Sequence, residues 1–167
     1  GPIGLMAIPL ALRSGASSLV CIGRSSNRNR LHVAEKLGAQ VRVVDEPLPE
    51  VKELHGQFDV VLSTAPVEYL ADALPLLAFG GKLVYIGFGV GDGIIHFDAN
   101  DFHFRRLQLR ASFASPGIYL PHVLNALADG LIPGKELISH IFPLEKMDEA
   151  LHLYRYEKDR TLKIVMM

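Results

Sequence analysis

Short apolar runs alternate with helical patterns along most of the chain, the arrangement expected of βαβ units and a parallel sheet. After Gly4, "LMAIPLALRSGA" predicts a helix ending at Gly15, with Pro9 expected to kink it or remove a backbone bond. "SLVCIG" (Ser18 to Gly23) is wholly apolar, as a strand covered on both faces should be. "NRNRLHVAEKLGA" predicts a second helix closed by Gly38, "VRVVD" a strand, and "LPEVKELHG" a short helix stopped by Gly56. "FDVVLSTA" predicts a strand, and "PVEYLADALPLLAFGG" a helix with Pro66 near its start and a glycine pair as its stop. "KLVYIGFG" and "LQLRASFA" read as strands, and "YLPHVLNALADG" as a helix.

Right-handed crossovers place such helices on both faces of one twisted sheet, so the predicted fold is α/β, a doubly wound parallel sheet. Beyond Gly130 the rhythm changes. "ELISHIFPL" is strand-like, "EKMDEALHLYRYEK" is an amphipathic helix and "TLKIVMM" is a last strand. Two regions are therefore expected, a nucleotide-binding domain over 1–130 and a strand-helix-strand tail over 131–167.

Composition narrows the class. The 167 residues are 49% hydrophobic with a mean hydropathy of +0.24, enough for a sizeable core. No apolar run approaches the roughly 20 residues that span a bilayer, and no signal peptide is visible, so no membrane partner is expected. Seventeen basic and 18 acidic side chains leave a net charge of -1, which gives no general attraction for nucleic acid. The single Cys21 excludes an internal disulfide and a multi-cysteine metal site, and a cytoplasmic location is expected.

The chain opens on "GPIG". Gly1 and Gly4 have the spacing of the second and third glycines of a dinucleotide fingerprint, where the backbone approaches a pyrophosphate and the helix packs closely. The anion would sit on the free N–H groups at the helix start, in the turn formed by Gly1, Pro2, Ile3 and Gly4, at the positive end of the helix dipole. Pro2 contributes shape rather than a donor. Where NAD-binding chains usually carry an acid after the next strand, this one has "IGRSSNRNR". Gly23 is followed by Arg24, Ser25, Ser26, Arg28 and Arg30, which offer guanidinium and hydroxyl donors. Those groups suit a 2′-phosphate, which a carboxylate would repel, and they favour NADP(H) over NAD(H). Two further loops fall at carboxyl ends of predicted strands: "STAP", with Thr64 and Ala65, and "IGFGVGDG", with Gly87, Phe88 and Gly89. A cofactor lying across the sheet would touch both.

Taken in order, "GPIGLMAIPLALRSGASSLV", "AEKLGA", "FDVVLSTA", "LAFGGKLVYIG", "FPLEKMDEALHLY" and "LKIVMM" resemble the medium-chain dehydrogenase/reductase family. These are the zinc-type alcohol dehydrogenase relatives, including sorbitol, threonine and cinnamyl alcohol dehydrogenases. The arginine-serine turn is most similar to the NADPH-preferring branch. The resemblance implies a first strand ahead of the glycine turn, and before it a GroES-like catalytic domain. The chain would then be the carboxyl-terminal half of an enzyme that moves hydride between nicotinamide and an alcohol, aldehyde or ketone. Nicotinamide would sit beside Gly87–Gly89. The strand order 3-2-1-4-5-6 also requires that first strand as the shared neighbour of two others.

The same resemblance assigns any catalytic zinc to the other half. Histidines are present, but none has helical i, i+4 spacing with a nearby acid; "HFDANDFHFRR", with His96 and His103, reads as a solvated loop packing its phenylalanines. Asp45 has no visible base partner in the sequence. No catalytic residue and no metal ligand is assigned to this chain, which is expected to be silent alone. A homo-oligomer formed through the sheet edge at "LQLRASFA" is implied. The competing readings are a stand-alone nucleotide sensor, which has no need of the tail, and a methyltransferase, which would keep an acid after the second strand.

Overall fold

The computed structural model describes residues 1–89, 91–113 and 117–167. The chain divides into two compact units, Gly1–Asp45 with Pro116–Met167, and Glu46–Ser115.

In the first unit, α1 (Pro2–Arg13) leads to β1 (Val20–Gly23), α2 (Arg28–Lys36) and β2 (Gln40–Val43). Gly1 caps α1, and the helix runs through Pro9 without a break. Leu5 and Ile8, three apart, bury the face it shares with the core. α2 ends in a turn where Gly38 adopts φ +96°, a conformation glycine takes at little cost. β1 and β2 pair in parallel, Val20 opposite Gln40 and Gly23 opposite Val43. The later segments are α4 (Leu120–Ala128), α5 (Gly134–Leu137), β6 (Ile138–Phe142), α6 (Met147–Tyr156) and β7 (Lys163–Met166), with β6 and β7 also parallel. One core joins them: Leu5, Ile8, Ala34 and Ala39 pack with Ile132, Leu137 and Leu162. Cys21 lies against this core, and burial pushes its thiol above the ordinary range.

The second unit holds β3 (Phe58–Ser63), β4 (Leu77–Tyr85), α3 (Ala99–Phe104) and β5 (Gln108–Ala111). The strands form a parallel three-stranded sheet in the order β3-β4-β5. Leu70, Leu76, Leu77 and Leu83 fill its core. The α/β class and the parallel pairing agree with the sequence pattern. Among the described residues the hydrogen-bonded strands nevertheless fall into three sets rather than the one sheet expected, β1-β2, β3-β4-β5 and β6-β7.

Several expected helices are replaced. Residues 47–56 form two short 3-10 turns, Leu48–Glu50 and Lys52–Leu54, broken at Val51 with ψ +72°. Residues 66–76 likewise form 3-10 turns, Val67–Tyr69 and Ala71–Leu76. Pro75 donates no backbone bond and disfavours α geometry at Leu74, so the apolar run cannot hold an α-helix. The glycine pair is not a helix stop. It lies within β4, where Phe58 faces Leu77 but Val60 faces Lys82, a bulge that takes up three extra residues. Gly80 sits there at φ +76°, and a side chain on Gly81 would meet the Ala78 carbonyl oxygen at 2.8 Å.

The stretch expected as a loop around His96 and His103 contains α3. Asp98 caps it, accepting the amides of Asn100 at 2.8 Å and Asp101 at 3.1 Å. The predicted strand "LQLRASFA" is observed over Gln108–Ala111, and its Ala114 lies outside the described residues, as does Val90 of the "IGFGVGDG" loop.

Candidate cofactor-binding site

The expected site residues fall in both units, and each group has its own geometry. In the first unit, Gly1 is the N-cap of α1 and Pro2 its first residue. The Gly1 carbonyl accepts the Leu5 amide at 3.0 Å, which leaves the amides of Ile3 and Gly4 without an intrahelical acceptor. Space beside the Gly1 α-carbon is open to at least 4 Å. This is the geometry of an anion-accepting helix start.

Gly23 ends β1, and a side chain there would run into Leu31 Cδ2 at 2.7 Å. Its absence lets α2 lie close against the strand. Arg24 is extended (φ -82°, ψ +155°), and Ser25–Asn27 then turn into α2 with the Asn27 amide bonded to the Arg24 carbonyl at 2.9 Å. Arg24, Ser26 and Arg28 are exposed around this turn, with Ser25 half-buried.

The turn contains an acid after all, contributed from the next strand. The Ser25 amide donates to Asp45 Oδ1 at 2.9 Å. That bond, followed by one from the Ser25 hydroxyl, holds the Asp45 carboxyl below the ordinary aspartate range, with smaller contributions from Arg24 and Arg28. Asp45 reaches this place because the β1-β2 register continues past both strands: the Val44 amide donates to the Gly23 carbonyl at 3.0 Å.

Arg30 is engaged elsewhere. Its Nε and Nη2 both donate to the Thr161 carbonyl, at 3.2 and 2.9 Å. Beside it, the Asn29 amide and side chain bind the two oxygens of Asp159 at 3.1 and 2.8 Å. These contacts tie the start of α2 to the segment before β7, across about 130 residues. Arg24 and Arg28 are thus the two arginines exposed at the turn, while Arg30 is a structural clamp. Sequence spacing gives no sign of Asp45, Asp159 or Thr161, because their partners are 20 to 131 residues away.

In the second unit, Thr64 and Ala65 follow β3 and Gly87, Phe88 and Gly89 follow β4. The strands are parallel neighbours with Ser63 opposite Tyr85, so both loops leave the same carboxyl edge of the sheet. The Ile86 amide donates to the Ser63 carbonyl at 3.1 Å, carrying the pairing one step further. A side chain on Gly87 would collide with the Ala65 carbonyl, and one on Gly89 would reach Val67 Cγ1 and Glu68 Oε1 at 2.7 Å. Phe88 stands 81% exposed between them. A cavity of about 340 Å³ in this unit is lined by His55, Gly56, Pro75, Asp101 and Arg105, none of them an expected cofactor residue.

Residues 2–129 match the family model described as zinc-binding dehydrogenase. The chain belongs to that family. This bears out the resemblance to the medium-chain dehydrogenase/reductase group read from the sequence. The chain is 29% identical over 163 residues to L-threonine 3-dehydrogenase of Bacillus velezensis, covering 93% of this chain and 46% of that protein. It is 28% identical over 177 residues to sorbitol dehydrogenase of Bacillus subtilis, covering 99% and 48%. Among solved structures, alcohol dehydrogenase TADH from Thermus sp. ATN1 aligns over 100% of this chain and 49% of its own, at 28% identity and a TM-score of 0.84. A dehydrogenase of E. coli CFT073, solved in complex with NADH, aligns over 100% of this chain and 50% of its own with a TM-score of 0.87 at 22% identity, a likeness of fold. The chain spans about half the length of the curated relatives it matches.

The family's name implies zinc, and the described residues do not fit one. Among the described residues no group of three or more His, Cys, Asp or Glu side chains is placed to hold a metal ion. No helix of the described residues is long and apolar enough to cross a membrane.

Proposed function

We propose that this chain is the cofactor-binding portion of an NADP-dependent alcohol dehydrogenase or carbonyl reductase. The observation that carries the reading is the arginine-serine turn at the end of β1, where Arg24 stands in place of an acid and Arg28 and Ser26 are exposed beside it. Two guanidinium groups with hydroxyl and amide donors match the charge and the acceptors of a 2′-phosphate. The first-turn amides of Ile3 and Gly4 suit the pyrophosphate, and the paired loops at Thr64–Ala65 and Gly87–Gly89 suit the nicotinamide half. Arg30 serves the site by fixing the start of α2 rather than by touching phosphate.

When bound, NADP(H) supplies the hydride chemistry. The chain's residues would hold it: the Gly1–Gly4 turn and Arg24 would serve the adenosine end, and the loops at Ala65 and Gly87, whose backbones approach closely, the nicotinamide end. The substrate class would be a small alcohol, aldehyde or ketone, and the 131–167 tail is proposed to pack, as the family resemblance implies, on a catalytic domain. No residue of this chain is assigned to the chemical step. We further propose a cytoplasmic enzyme that assembles through the β5 edge, where Gln108–Ala111 are all exposed.

The reading predicts that NADPH binds this chain at least tenfold more tightly than NADH, about 1.4 kcal/mol, in a titration followed by nicotinamide fluorescence. Equal affinities would remove the phosphate assignment while leaving dinucleotide binding intact. Binding of neither nucleotide would overturn the cofactor role of the chain.

A further inference from the structure

We infer that Asp45 sets how strongly this turn prefers a 2′-phosphorylated nucleotide, by holding the donors that the phosphate requires. The inference rests on the NADP reading above and concerns a residue that the sequence left without a role.

The argument starts from position. The parallel register that pairs Gly23 with Val43 continues through the bond from the Val44 amide to the Gly23 carbonyl. Asp45 is therefore delivered beside Ser25 by backbone geometry, not by a freely swinging side chain. Its Oδ1 accepts the Ser25 amide at 2.9 Å, and Arg24 and Arg28 lie close enough for their charges to stabilise the carboxylate. An amide N–H serves one acceptor well. A phosphate monoester carries about -1.5 to -2 charges near neutral pH, and seated on Arg24, Ser25 and Arg28 it must either displace the carboxylate or share the arginines with it. Both cost affinity. Displacement breaks the bond from the Ser25 amide to Asp45, and sharing sets two anions side by side. An unphosphorylated nucleotide needs none of these donors and escapes the cost. Asp45 thus acts as an internal counter-anion that moderates the preference created by Arg24.

The test compares 2′,5′-ADP with 5′-AMP by calorimetry on the wild-type chain, Asp45→Asn and Asp45→Ala. Asp45→Asn keeps a carbonyl oxygen to accept the Ser25 amide while removing the charge, so the turn is preserved. The inference predicts that Asp45→Asn binds 2′,5′-ADP about three- to tenfold more tightly, the scale of one or two like-charge contacts near a surface, with 5′-AMP within twofold. Asp45→Ala should show a gain of the same sign. Amide spectra of the variants give an independent check, since the Ser25 resonance should respond to 2′,5′-ADP more strongly in Asp45→Asn.

Two results would overturn the inference. Unchanged 2′,5′-ADP affinity in both variants would make Asp45 a structural cap only. Weaker 5′-AMP binding would make it the acceptor for a ribose hydroxyl, the opposite role. Failure of the NADP reading looks different: the wild-type chain would fail to distinguish the two probes, and Arg24→Ala would change neither.

Discussion

Arg24→Ala is expected to weaken NADPH binding by about ten- to a hundredfold and to leave NADH within twofold. Hydrogen bonds to charged groups contribute roughly 1.5 to 3 kcal/mol, and each 1.4 kcal/mol is tenfold in affinity. Arg24 is the first residue after β1, extended and exposed, so its removal leaves the backbone of the turn in place. The loss therefore falls on the phosphate alone. Because the site is exposed, rising salt should shrink the wild-type preference while the Arg24→Ala chain responds less. Paired titrations at low and physiological ionic strength check both statements. An equal loss for NADPH and NADH would mean that Arg24 shapes the turn rather than reading the phosphate.

Gly87→Ala should act on both nucleotides alike and on the fold as well. The new β-carbon would fall inside van der Waals contact of the Ala65 carbonyl oxygen and 3.2 Å from its carbon. These are backbone atoms, so no rotamer change relieves the clash. Overpacking costs typically 1 to 3 kcal/mol, and a collision with main chain belongs at the upper end, about 3 kcal/mol. The midpoint of urea unfolding should fall with its slope unchanged. The Thr64–Ala65 and Gly87–Gly89 loops would be forced apart at the carboxyl edge of β3 and β4, which weakens NADH and NADPH binding together. The contrast with Arg24→Ala separates seating of the ring from recognition of the phosphate.

The parts of the site visible in the sequence were those made by neighbours in the chain. The glycine turn with its helix, and the arginines following an apolar strand, are local, and the structure keeps both where their spacing placed them. Asp45 was invisible because nothing local links it to Ser25; the parallel register of β1 and β2 does. For the same reason nothing in the sequence shows that Arg30 donates to the Thr161 carbonyl, 131 residues away. In the fold, residues 66–81 misled for a different reason. Their apolar residues have helical spacing, but Pro75 removes a donor in the middle, and the glycine pair serves a bulge in β4 rather than a helix end. α3 was hidden by the histidines and phenylalanines around it, although Asp98 is an ordinary capping residue.

The most direct measurement is phosphorus NMR of NADPH titrated with the chain, following the 2′-phosphate resonance. The account predicts that this resonance shifts on binding to the wild-type chain, and that the shift is lost in Arg24→Ala while the pyrophosphate resonances still move. A 2′-phosphate resonance that stays at its free position while the pyrophosphate signals shift would contradict it, placing the nucleotide on the glycine turn without the arginine turn that this structure offers.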